Sequence, residues 1–160
     1  MKLNEEHLQR VMQLMSSGPY FKLLSMPIIE LGTGRSVIEI DIGEKHLNAF
    51  GSVHGGVYAS AIDTAAYWAA YCELPEKSGL TTIDMNISIL APAKSGKHIV
   101  RGRSIKVGRT IALCEAEIFD SGEKKLAHGT SKMLVTSGYQ TIDDVAAFSG
   151  APSLPPKFIK

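Results

Sequence analysis

Cysteine is scarce in this 160-residue chain. Cys72 and Cys114 are the only two, and they form no CxxC pair. Two such thiols make a poor disulfide framework, and a reducing cytoplasm is the expected location. Charge of one sign is also lacking: 17 Lys and Arg stand against 16 Asp and Glu. That balance argues against a nucleic-acid partner, which calls for a basic face. No apolar run is long enough to span a bilayer, so no membrane partner is expected. The longest stretch, Gly55 to Cys72, is interrupted by Ser60, Asp63 and Thr64. Met1 to Arg10 is polar and mixed in charge, unlike a signal peptide. Repeats and low-complexity segments are absent.

Several chemical motifs are missing too. There is no GxSxG, which leaves an α/β-hydrolase triad unsupported. Gly32-Thr33-Gly34 lacks the third glycine of a dinucleotide site, and Lys94 to Lys97 is no phosphate-binding loop. His7, His46, His98 and His128 show no metal-ligand spacing and read as surface or strand residues. No metal and no cofactor are expected.

What remains is an ordinary globular composition, 44% hydrophobic and 21% charged, long enough for one core. Asn4, Glu5 and Glu6 predict a helix start. Leu8, Val11, Met12 and Met15 follow at helical spacing up to a stop at Gly18-Pro19. Ile38, Ile40 and Ile42 alternate with Glu39 and Asp41 as in a half-buried strand. Residues 43–53 read as a loop. From Gly55 to about Cys72 the pattern predicts a helix that is apolar on nearly every face, hence buried, and ended by Pro75. Its alanines permit strands to approach closely.

Longer strands are predicted over 81–91, 97–107, 109–120 and 124–137, joined by tight turns at Gly108 and Ser121-Gly122. In the first of these, Ile83, Met85, Ile87 and Ile89 are expected on one face. Thr82, Asp84, Asn86 and Ser88 are expected on the other. The class is therefore α+β: an N-terminal helix, then one long antiparallel sheet, a meander, curling around a central helix. Residues 1–138 form the single domain. Residues 139–160, rich in proline, read as a loop-rich surface extension with one helical turn at 143–148.

The stretch from Asn48 to Gly56, with Asp63 following, carries the chemistry. Gly55 and Gly56 sit where the chain enters the buried helix. The first N–H groups of a helix lack internal partners and carry the positive end of its dipole. Glycine there lets a ligand carbonyl come close. Asp63 is the only charge in that helix. A buried carboxylate needs a partner or a function; the alternatives are a nearby lysine or a wet interface. Asp63 lies eight residues after Gly55, about 12 Å along the axis. To act on one bond they must come from two antiparallel helices, as a two-fold dimer supplies.

These residues resemble a family. Asn48, Gly51, His54, Gly55, Gly56 and Asp63 are similar to the signature of the phenylacetate-pathway (PaaI-like) acyl-CoA thioesterases, a branch of the hotdog superfamily. Thr82 to Ile87, Ala91-Pro92-Ala93 and Val107-Gly108-Arg109 resemble that family's following strand and hairpin turn. The likeness runs from about Met26 to Ser137. It implies a hotdog fold, a homodimer or homotetramer, and hydrolysis of an acyl- or aryl-CoA thioester, coenzyme A being part of the substrate. It implies that Asp63 acts as nucleophile or general base, and that the Gly55 N–H polarises the thioester carbonyl. Asn48 and His54 would orient the groups from the opposite subunit. Thr82 would position water, unless it only packs its methyl. His54 is as readily a hydrogen-bonded loop residue.

Lys106, Arg109, Arg103 and Lys132 are candidates for the phosphates of coenzyme A, against a plain solvated role. Gly56 and Phe50 are candidates for substrate contact. Phe50, Tyr58 and Trp68 are candidates for an acyl pocket, or are core. A non-catalytic acyl-CoA sensor is the main rival, and no DNA-binding segment accompanies it. A hotdog hydratase would use a paired Asp and His that this chain does not show.

Overall fold

The computed structural model describes residues 1–160. A short strand β1 (Lys2–Leu3) precedes helix α1 (Glu5–Ser16). Asn4 caps α1 as its spacing predicts: its side chain accepts from the Glu6 N–H at 3.1 Å, and Glu5 and Glu6 face the positive end of the helix dipole. Pro19 does more than end this helix. It sits in the first turn of a second one, α2 (Pro19–Leu24), where its missing N–H costs nothing.

Strand β2 (Ile28–Gly32) turns into β3 (Arg35–Ile42). The predicted loop over 43–53 contains a single 3-10 turn, Glu44–His46. Helix α3 (Gly55–Tyr71) is followed by β4 (Ser78–Ile89), β5 (Gly96–Val107), β6 (Ile111–Phe119) and β7 (Lys125–Ser137). No helix is long and apolar enough to cross a membrane.

One antiparallel sheet holds six strands in the order β2-β3-β5-β6-β7-β4. The expected meander is therefore only partly right. β5, β6 and β7 do form consecutive hairpins. β4 pairs instead with β7, at the far edge from β2. Local turn signals cannot reveal such a crossover: residues 90–95 carry the chain across two strands before β5 begins.

The sheet curls around α3. Ala61, Ala65, Ala66, Ala69 and Ala70 are fully buried. The approach is closest at Gly102 of β5, where a Cβ would stand 2.2 Å from the Ala65 carbonyl oxygen. Ser36 Oγ of β3 donates to that same oxygen at 2.7 Å. Ile38, Ile40 and Val100 close the core from the sheet, and Tyr58 and Trp68 fill it from the helix.

The tail after residue 138 is more ordered than its prolines suggest. Helix α4 (Ile142–Ser149) is capped by Thr141, and β8 (Phe158–Ile159) pairs with β1. Lys157 is buried, its Nζ donating to the carbonyls of Tyr71 and Pro75 at 3.2 Å each. The Asn4 amide donates to the Pro156 carbonyl at 2.8 Å. Two histidines expected at the surface or in strands are corrected as well: His7 lies in α1 and His46 in the 3-10 turn, while His98 on β5 and His128 on β7 are strand residues as expected. His7, His46 and His98 are all buried; only His128 keeps partial exposure on β7. His7 and His46 each tie two segments together through both ring nitrogens, a demand that sequence spacing does not display.

Candidate active site

The loop before α3 is built by its own polar side chains. Asn48 Oδ1 accepts from the Phe50 and Ser52 N–H groups at 2.9 and 3.2 Å. Gly51 provides the positive φ, 74°, that the turn requires. His46 takes the Gly43 N–H at Nδ1 (2.9 Å), so its Nε2–H donates to the Leu24 carbonyl at 2.7 Å. The His46 carbonyl accepts the His54 N–H, and the Ala93 carbonyl accepts the Val53 N–H, both at 2.8 Å. The helix start is thereby pinned to α2 and to the segment after β4.

His54 is the N-cap of α3. Its Nδ1 accepts the Gly56 N–H at 2.8 Å. That bond leaves its proton on Nε2, which faces outward as a donor. The Gly55 N–H has no acceptor in the chain. A cleft of about 350 Å³ opens beside it, lined by Asn48, Ser52, Gly55, Tyr58 and residues 89–93. With Asn48 Oδ1 committed to its loop, its amide NH₂ is the group free to donate.

Asp63 sits two turns further along α3, half-buried. No lysine accompanies it. Thr82 Oγ1 donates to its Oδ1 at 2.8 Å. Ser131 Oγ donates to the same oxygen at 3.2 Å. Oδ2 accepts nothing from the chain.

The Thr82 contact overturns the expected face of β4. The ladder with β7 shifts between Thr82 and Asp84, so Ile83 is an extra, unpaired residue. Thr82 pairs with Met133, and Met85 pairs with Ser131; Met133 and Ser131 are both fully buried on the inner face. Thr82 therefore shares a face with Met85 and turns toward α3. Strict alternation, which sequence reading assumes, places it outside.

Ser131 was not legible as a site residue, but a signal for it exists. On β7 the inward positions are Ala127, Gly129, Ser131, Met133 and Val135. Ser131 is the one hydroxyl in that column.

The other candidates disperse. Gly56 is exposed, its N–H held by His54. Phe50 is 91% exposed at the tip of the Asn48 loop. Tyr58 and Trp68 are core, Tyr58 also forming one wall of the Gly55 cleft. Arg103 pairs with Glu115, which also meets His128 Nε2 at 3.1 Å. Those contacts, the His128 hydrogen bond foremost, hold the Glu115 carboxyl below its usual range. Lys132 pairs with Asp84 at 2.9 Å. Lys106 and Arg109 are exposed at the β5–β6 hairpin and make no ion pair. No three His, Cys, Asp or Glu side chains converge as a metal site. Both thiols are free and buried. Burial pushes Cys72 up to about 11 and Cys114 up to about 12, so neither is a ready nucleophile.

Residues 50–127 match the family model of the thioesterase superfamily. Human acyl-coenzyme A thioesterase 13 is 29% identical over 124 residues, which make up 76% of this chain and 88% of that protein. A protein named as an esterase from Saccharolobus solfataricus is 32% identical over 104 residues, 65% of this chain and 74% of the other. Among solved structures, the E. coli PaaI protein superimposes with a TM-score of 0.76 at 22% identity, over 86% of this chain and 98% of that one. At that identity the superposition speaks for the fold. The chain belongs to the thioesterase superfamily as a thioester hydrolase, with a hotdog fold like that of the PaaI protein.

Proposed function

We propose that the protein hydrolyses an acyl- or aryl-CoA thioester to the free acid and coenzyme A, at two equivalent sites shared across a two-fold dimer. One observation carries this reading. The unpartnered Gly55 N–H and the Asp63 carboxylate lie on one helix eight positions apart, about 12 Å. Neither reaches a thioester held at the other within one chain.

The surface beside Asp63 supports a partner. Gly56, Ala59, Ser60, Asp63, Thr64 and Tyr67 recur at helical spacing and form the least buried stripe of α3. β4 lies open at the sheet edge. Its inward Met85 and Ile89 are 40% and 53% exposed. An open apolar edge strand is a template for pairing. A second copy related by a two-fold axis covers it and sets the two α3 helices antiparallel.

In that arrangement Asp63 acts as general base. Its free Oδ2 takes a proton from water, and the oxygen bonds to the thioester carbonyl carbon. The carbonyl oxygen becomes an oxyanion that accepts the Gly55 N–H of the partner subunit. The C–S bond then breaks, and the departing thiolate takes the proton from Asp63. Asn48 and His54 donate toward the substrate from the same side as Gly55. Lys106 and Arg109 have free charges for the phosphates of coenzyme A; Arg103 and Lys132 must first leave Glu115 and Asp84. The reaction needs no metal and no further cofactor. Two unpaired buried thiols suit the cytoplasm.

Free-thiol release from a panel of acyl-CoAs, short aliphatic to phenylacetyl, tests the assignment. Asp63→Asn should lower turnover by about 10³-fold while leaving the fold intact. Near wild-type turnover in the variant contradicts the role of Asp63. Tight binding without turnover in the wild type points to a sensor instead.

A further inference from the structure

Ser131 is a fully buried hydroxyl in an apolar column of β7, between Gly129 and Met133 along the strand and opposite Cys114 and Met85 across it. A buried hydroxyl without a partner is costly, and alanine would fill this place at no polar cost. Ser36, the comparable buried serine of β3, satisfies itself on a backbone carbonyl. Ser131 has no such backbone bond. Its hydroxyl makes one hydrogen bond, to Asp63 Oδ1 at 3.2 Å.

Thr82 reaches that oxygen from β4 at 2.8 Å. Two hydroxyls from adjacent strands thus converge on one carboxylate oxygen and leave the other bare. A carboxylate on a helix surface rotates freely about its last torsion. Here that rotation would break both bonds, so Oδ1 and Oδ2 are not interchangeable.

We infer that Ser131 is a positioning residue for the thioesterase reaction: with Thr82 it fixes the Asp63 carboxylate so that Oδ2 alone faces the attacking water. The inference rests on Asp63 being the base.

The test compares kcat and KM of wild type, Ser131→Ala, Ser131→Cys and Asp63→Asn on the best substrate of the panel. Ser131→Ala should lower kcat about tenfold and leave KM within about twofold. Ser131→Cys keeps the volume with a weaker donor and should show the same fall in kcat at unchanged KM, which guards against a poorly folded alanine variant. A kcat that stays at the wild-type level in both variants, or a KM that rises in step with the fall in kcat, overturns the positioning role. Wild-type turnover in Asp63→Asn overturns the catalytic reading itself, and the positioning role with it.

Discussion

At the scale of single residues, the sequence shows chemistry better than it shows contact. Asp63 stands out because it is one charge in seventeen helical residues, and His54-Gly55-Gly56 because glycines at a helix start have a physical use. Ser131 does not stand out, since its meaning comes from a carboxylate 68 positions away. The same holds for Gly102. Nothing local marks it, yet a Cβ there would stand 2.2 Å from the backbone oxygen of Ala65. Backbone cannot swing aside as a flexible side chain can. Gly102→Ala should therefore cost about 3 kcal/mol through forced separation of β5 from α3. A urea titration at fixed protein concentration checks this. An unchanged midpoint would show that the strand can retreat without loss.

At the scale of elements, α1, β3, α3 and the three hairpin strands β5 to β7 were legible within a few residues, because each carries a clean period and turn residues at its ends. Two kinds of feature were hidden. The Ile83 bulge breaks the period of two within one strand, and it alone brings Thr82 to Asp63. The tail was hidden because its anchors are long-range: β1 with β8, Asn4 with Pro156, Lys157 with Tyr71.

His7 completes that clamp. Its Nδ1–H donates to the Pro155 carbonyl at 2.6 Å, so Nε2 accepts the Tyr71 hydroxyl, also at 2.6 Å. Both bonds are met by the neutral ring. Burial is the main cause that lowers its pKa from 6.5. Lys157 adds to the lowering, while the Pro155 hydrogen bond, Glu76 and Asp143 oppose it. A lowered pKa means that the unfolded chain binds the proton more readily. The stability His7 contributes is full above pH 6.5 and is lost as pH falls through the folded value. The thermal midpoint of wild type should thus drop more steeply than that of His7→Gln between pH 7 and pH 5. Parallel curves would remove His7 as the cause.

At the scale of the whole molecule, the fold class was readable because a buried all-apolar helix among long strands has few other solutions. The order of the sheet was not, since β4 finds its neighbour three strands away in sequence. The proposed shared site also belongs to this scale: in it the oxyanion donor comes from one chain and the carboxylate from the other. Gly55→Pro removes the donor selectively. Proline is at home in the first turn of a helix. His54 already has the extended backbone, φ −66° and ψ 135°, that a following proline demands. The one close neighbour of an added Cβ is the tip of the Ile89 side chain.

The most direct measurement is therefore complementation. Gly55→Pro and Asp63→Asn chains are co-expressed in equal amounts, and thiol release is compared with that of each variant alone. With shared sites, half of the dimers are mixed and each mixed dimer carries one intact site, so activity should return to about a quarter of wild type. If both groups serve within a single chain, no mixed dimer holds an intact site. Activity would then stay at the level of the separate variants, and the claim of a shared site would be wrong.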